Sequence, residues 1–157
     1  MVVAGLVLAT PVTLAIVRTL VIQAGSETYG VPVSVIQETV ALTKEELLTL
    51  EGNEFLQLRE ITLPVVRLGR LFGEASPVSD DVPGYAVIAV AGTRRVGIFA
   101  DDIRGQHDLV LKPLGEFFAG VRGIAGAVEL SDDETILVLD PLAIIDEVYR
   151  SRDSRGF

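Results

Sequence analysis

His107 is the only histidine in the chain, standing between Gln106 and Asp108. A histidine beside a carboxylate could act as a general base. No partner histidine exists for a two-histidine zinc site, and the chain has no cysteine for thiolate ligation or disulfides. His107 is therefore expected in an exposed loop. Three acidic clusters could attract a cation: Asp80-Asp81, Asp101-Asp102 and Asp132-Asp133-Glu134. Calcium and magnesium need oxygen ligands that converge, and adjacent residues on a strand point to opposite faces. Solvated charges are the expectation for all three, and no metal site is expected. Gly120, Gly123 and Gly126 have the look of a glycine loop. No Lys-Ser or Lys-Thr follows them, as a phosphate loop requires. A strand-like stretch comes next where a dinucleotide fingerprint needs a helix. These glycines read as turn residues, and no cofactor is expected. Lys112, before Pro113, reads as a lone surface cation at a strand end.

The balance of charge narrows the partners. The net charge is −9, which repels phosphate backbones and anionic lipid headgroups, so neither nucleic acid nor a membrane surface is an expected partner. Apolar residues make up 49% and charged residues 22%, a globular composition. Val, Leu and Ile dominate it and favour strands. Residues 1–17 are the one membrane-like stretch. They are at the lower edge of a spanning length and contain Thr10, Pro11 and Thr13. No positive region precedes them, which argues against a signal peptide. They read as a buried strand, without membrane insertion, in a cytoplasmic protein.

The elements that must position these residues are short. Strand-like runs cover Thr19–Gln23, Thr28–Val35, Phe55–Leu58, Ile61–Leu68, Tyr85–Ala91, Arg95–Phe99, Leu109–Leu111 and Ile136–Leu139. Gly92-Thr93 reads as a hairpin turn between two of them. Thr43 and Glu46 have the spacing of a capping box and predict a short helix there. Leu142–Arg152 reads as a closing amphipathic helix with Ile145, Val148 and Tyr149 on one side. Residues 76–84 (SPVSDDVPG) break all periodicity and read as a linker. The two halves also match. Gly25, Tyr29, Gly30, Val31 and Ile36 align at one offset with Gly92, Val96, Gly97, Ile98 and Ile103. Leu63–Leu71 echoes Ile136–Ile144, with Arg67 and Asp140 as the charged residue inside each apolar run. A duplicated unit of about five strands suits a small closed barrel. Neither half buries much core alone, so the two should pack together.

Several phrases, taken together, resemble the CheW-like domain, in particular the one that ends the chemotaxis kinase CheA. They are PVTLAIVRTLVIQAGSETYGVPVSVIQETV from Pro11, LREITLPVVRLGRLFG from Leu58, and RVGIFADDIRGQHDLVLKPLGEFFAGVRGIAGA from Arg95. The last carries Asp102, Gly105-Gln106, Lys112-Pro113-Leu114-Gly115 and Gly123-Ile124-Ala125-Gly126 in the family's order. Glu60-Ile61 and Ser131-Asp132-Asp133 depart from the family's usual turns. The resemblance implies an all-β fold with short helices: two SH3-like five-stranded barrels packed together, plus a C-terminal helix. The barrels would span about residues 14–80 and 84–145. Residues 1–13 would be the end of a preceding ATP-binding domain or a tag-like lead-in.

The resemblance also implies a non-catalytic docking role in two-component signalling. The implied partners are the CheW adaptor, chemoreceptor cytoplasmic tips and other domains of CheA. A free-standing CheW adaptor is the alternative, and the PVTLAI strand favours the kinase. In a small barrel, Glu38 and Arg59 can form a charge-assisted pair beside Ile36. Matching positions in the family resemble those used for partner contact, so Ile36, Glu38 and Arg59 form one expected docking patch. An incidental surface pair beside a core Ile is the competing reading. Asp102, Gln106 and Lys112 form a second expected patch. With no phosphate loop and no acceptor histidine in a recognisable context, the purified chain should show neither ATP hydrolysis nor autophosphorylation. ATP turnover that a point mutation abolishes would refute this.

Overall fold

The computed structural model describes residues 15–43, 45–73, 84–111, 122–130 and 134–153. In chain order, the strands are β1 (Ala15–Ala24), β2 (Glu27–Pro32), β3 (Ile36–Ala41), β4 (Leu47–Leu50), β5 (Asn53–Leu58) and β6 (Ile61–Val66). After a four-residue helix α1 (Leu68–Leu71) come β7 (Tyr85–Ala91), β8 (Arg94–Ala100), β9 (Asp102–Leu111), β10 (Ile124–Leu130) and β11 (Glu134–Leu139). Helix α2 (Pro141–Asp153) follows. The fold is all-β with short helices, as two small barrels.

One sheet has the order β9-β1-β2-β11-β10, the other β3-β7-β8-β6-β5-β4. The sequence halves 14–80 and 84–145 are therefore not the two sheets. The β1–β2 hairpin sits with strands of the second half, and the β7–β8 hairpin sits with strands of the first. The internal repeat survives this exchange. Under it, β9, β1, β2, β11 and β10 correspond to β3, β7, β8, β6 and β5, so both sheets run in the same order. The registers agree as well. Val65 lies beside Gly97 in one parallel pair, and Val138 beside Gly30 in the other. The edge strands carry equivalent irregularities, between Ile36 and Glu38 in β3 and between Ile103 and Gly105 in β9.

The exchanged hairpins explain why their sequences are apolar without strict alternation. Leu20, Ile22, Tyr29 and Val31 from β1–β2 meet Val87, Ala89, Val96 and Ile98 from β7–β8 in one shared core. Ile144, Ile145 and Val148 of α2 complete it. The opposite faces of the same hairpins fill the barrel interiors. Val21 packs with Leu109, Ile136 and Val138, and Ala86, Ile88 and Phe99 pack with Leu56, Leu63 and Val65. A strand buried on both faces has no solvent side on which to place polar residues. Helix α2 is started by Asp140, whose carboxylate accepts a hydrogen bond from the Ala143 amide at 3.3 Å. It is tied to β8 by Tyr149, whose hydroxyl donates to the Arg95 carbonyl at 3.0 Å and accepts from its amide at 3.2 Å.

Several local expectations need correction. No helix begins at Thr43. The Thr43 hydroxyl does donate to Glu46 Oε1 at 2.8 Å, but a turn leads into β4, which pairs with β5. The Glu51-Gly52 turn explains the outcome: both residues have positive φ, 53° and 80°, which suits a tight two-residue hairpin whose pairing wins over helix. The run Thr28–Val35 is strand only to Pro32, and Val33–Val35 is a 3₁₀ turn. The run from Ile61 is strand to Val66, with Leu68 opening α1. His107 is exposed on strand β9 rather than in a loop. Ile16, expected in a buried strand, lies in β1 but is 71% exposed, while residues 1–14 lie outside the described residues. The linker read at 76–84 also lies outside them, except Gly84.

Gly30 and Gly97 are equivalent by the repeat but differ in room. A Cβ at Gly30 would come 2.5 Å from Thr19 Cγ2, whereas at Gly97 the nearest atom would be Leu63 Cδ1 at 3.4 Å. The cause is one residue: Thr19 stands where the other barrel has Ala86, which has no γ atom. Gly30→Ala should lower stability by about 1–3 kcal/mol through overpacking. Gly97→Ala should stay within roughly 1 kcal/mol of the parent. Urea unfolding of the two variants checks this, and equal losses would remove the argument.

Candidate functional site

The Glu38–Arg59 pair is present. Arg59 Nη2 donates to Glu38 Oε1 at 2.6 Å. The two residues come from distant places in the sheet order. Glu38 is on edge strand β3, and Arg59 begins the turn between β5 and β6 with φ 56°. Three to four strand spacings would separate them in a flat sheet, roughly 14–19 Å. Direct contact therefore requires the sheet to curl until its ends meet, and the pair spans that seam. Ile36 opens β3 rather than ending the preceding strand. It is half-buried and packs on the shared core.

The other barrel carries a counterpart that sequence reasoning missed. Arg104, between Ile103 and Gly105 where the register of β9 shifts, donates to Gln23 Oε1 at 2.9 Å and to Glu134 Oε1 at 3.0 Å. It joins edge strand β9 to the start of β11 across the equivalent seam, with the cation now on the edge strand. The repeat does not locate this pair, because at its constant offset Arg104 corresponds to Gln37, while Glu38 corresponds to Gly105. Asp102 and Gln106 are exposed on the same strand β9. Lys112 lies outside the described residues, so only part of the second expected patch is visible. Asp101 is exposed as well, but its Oδ2 accepts the Gly25 amide at 2.6 Å and fixes the β1–β2 turn.

A third pair differs in kind. Arg67 donates from Nε and Nη2 to the two carboxylate oxygens of Glu54, the second bond being 3.0 Å. Both side chains are only 13% exposed. The guanidinium also lies 4.2 Å over the Phe99 ring. The sequence marked Arg67 as a charge inside an apolar run but could not supply its partner. Among the described residues, no group of three or more His, Asp and Glu could hold a metal ion. The polar chemistry of these barrels is ion pairing.

A family model for the CheW-like domain matches residues 18–149. The sensor histidine kinase CheAY of Helicobacter pylori is 34% identical over 87% of this chain. The chemotaxis protein CheA of Treponema pallidum is 36% identical over 85% of it. The chain spans 17% of the length of each of these relatives. The solved structure of the scaffolding protein TtCheW from Thermoanaerobacter tengcongensis superposes with a TM-score of 0.62 at 21% identity, covering 80% of this chain and 90% of that one.

The two kinds of ion pair should separate by mutation. The Arg59 and Glu38 side chains are 65% and 30% exposed, so Glu38→Gln should cost no more than about 1 kcal/mol. Glu54→Gln leaves Arg67 enclosed without its anion and should cost roughly 3–5 kcal/mol. Thermal melts of both variants test the contrast. A comparable loss at Glu38 would make the seam pair structural.

Proposed function

The chain belongs to the CheW-like domain family, and from that premise we propose that it is the docking domain of a chemotaxis histidine kinase, coupling it to the CheW adaptor and to chemoreceptor cytoplasmic tips. The observation that carries this reading is the kind of relative it matches. The sequence relatives named above are a sensor histidine kinase CheAY and a chemotaxis protein CheA, each matched over most of this chain but a small part of its own length. The domain itself is non-catalytic, and its work is recognition. Among the described residues, no helix is long and apolar enough to cross a membrane. Its place is the cytoplasm, held at receptor arrays through partners.

The docking patch proposed first is Ile36 with the Glu38–Arg59 pair. An exposed ion pair contributes little stability but fixes the direction of two charged groups. Here it holds the edge strand, with Ile36 at its start, against the β5–β6 turn. Asp102, Gln106 and Lys112 are proposed as the second patch. A free-standing adaptor is the second reading, favoured by the fold shared with the scaffolding protein over 90% of that chain. Sequencing upstream in the gene separates the two, since a nucleotide-binding domain there makes a kinase and a stop codon makes an adaptor.

Calorimetry against purified CheW adaptor, with melting temperature as control, tests the docking claim. Arg59→Glu should weaken binding about tenfold or more, the effect of turning a charge-assisted contact into a repulsion. Ile36→Asp and Lys112→Glu should weaken it too, with the fold retained. Unchanged affinity in all three variants would discard both patches. Loss of affinity only where the protein also melts early would make those residues structural.

A further inference from the structure

At the opposite end of β5 from Arg59, an open groove of about 340 Å³ lies between the β4–β5 turn, α1 and the last turns of α2. Its floor is aliphatic, from Val65, Val66, Leu71 and Val148. Arg67, Arg70 and Arg152 also line it. Two of these guanidiniums are fixed in place. Arg67 is held by Glu54 and Phe99. Arg152 donates to the main-chain carbonyls of Glu54 and Val65, both at 3.3 Å, and lies 4.6 Å over the Phe55 ring. Arg70 is exposed in the last turn of α1. Its guanidinium makes no ion pair or hydrogen bond among the described residues.

The two carboxylates of the lining are already engaged. Glu54 faces Arg67, and Glu147 accepts from Arg122 at 3.3 Å. The lining thus sets three arginines against two engaged carboxylates, with Arg70 the exposed cation among them, in a chain of net charge −9. We infer that it receives an acidic segment of a partner polypeptide in which Glu or Asp alternates with aliphatic residues. The Arg70 fork takes a carboxylate in two parallel hydrogen bonds. A neighbouring Leu or Val covers the floor, while Arg67 and Arg152 keep their partners within the chain. A bare oxyanion meets the charge but leaves the half-buried Leu71 uncovered, so the peptide is the better fit.

The test uses fluorescence anisotropy with a labelled peptide alternating Glu and Leu, and with versions alternating Gln and Leu or Glu and Ser. The full chain should bind the Glu–Leu peptide, and each other peptide should bind about tenfold more weakly or worse. Arg70→Glu should weaken the Glu–Leu peptide at least about tenfold. Arg18→Glu, the same charge change at an exposed position of β1, should leave its affinity unchanged. Absence of Glu–Leu binding overturns the inference, as does equal binding of the Gln–Leu peptide or equal loss in both variants. Equal binding of the Glu–Ser peptide, or displacement by inorganic phosphate as effective as by unlabelled peptide, reduces the groove to an oxyanion site and sinks the polypeptide claim.

Discussion

Two hairpins that are apolar on both faces constrain everything else in this molecule. β1–β2 and β7–β8 each turn one row of side chains into their own barrel and the other row toward the partner hairpin. Neither barrel can be a closed unit in water, because each would expose its half of the shared core. The exchange between sequence halves follows the same logic. Each hairpin is covered on its inner face by strands from the other half of the chain, and on its outer face by the other hairpin. α2 closes the remaining side with Ile144, Ile145 and Val148.

The polar interactions divide by burial, and burial decides what each can do. Glu54–Arg67 is enclosed, doubly hydrogen-bonded and stacked on Phe99, and removing one partner strands a charge away from water. Glu38–Arg59 and Arg104–Glu134 are solvated, so their energetic weight is small. Each nevertheless bridges the two ends of a curled sheet, and each holds its cation in a defined place on the surface. Such a pair is suited to orientation and recognition. The irregular register beside each keeps the edge strand from offering a flat ladder to unwanted partners.

The repeat gives these observations a common frame. Equivalent positions keep the backbone role and vary the chemistry: Gly30 and Gly97 sit in the same parallel register, yet Thr19 crowds one and Ala86 leaves the other open. Arg67 and Asp140 both stand just ahead of a helix, yet one is locked in a buried ion pair and the other caps α2. A duplicated chain folded this way presents two similar seams with opposite arrangements of charge, two surfaces that need not recognise the same partner.

The sequence by itself determined the strand-rich class, the main hairpins, the closing helix and the repeat, because alternation, turn glycines and helical spacing are local signals that the backbone must obey. It also offered Glu38 and Arg59 as a candidate pair, and the curled sheet then brought the edge strand and that turn together. Tertiary structure alone decided which hairpin joined which sheet, because apolar strands buried on both faces fit either neighbour and carry no label for their partner. It also turned Thr43–Glu46 into a strand lead-in, where β4–β5 pairing outweighed a capping-box pattern. The Glu54–Arg67 pair, the Arg104–Glu134 bridge and the arginine groove were likewise settled in three dimensions. The hydrogen-bonded partners in them lie 13 to 98 positions apart in the chain, and a charge in the sequence shows its sign but not what it will meet.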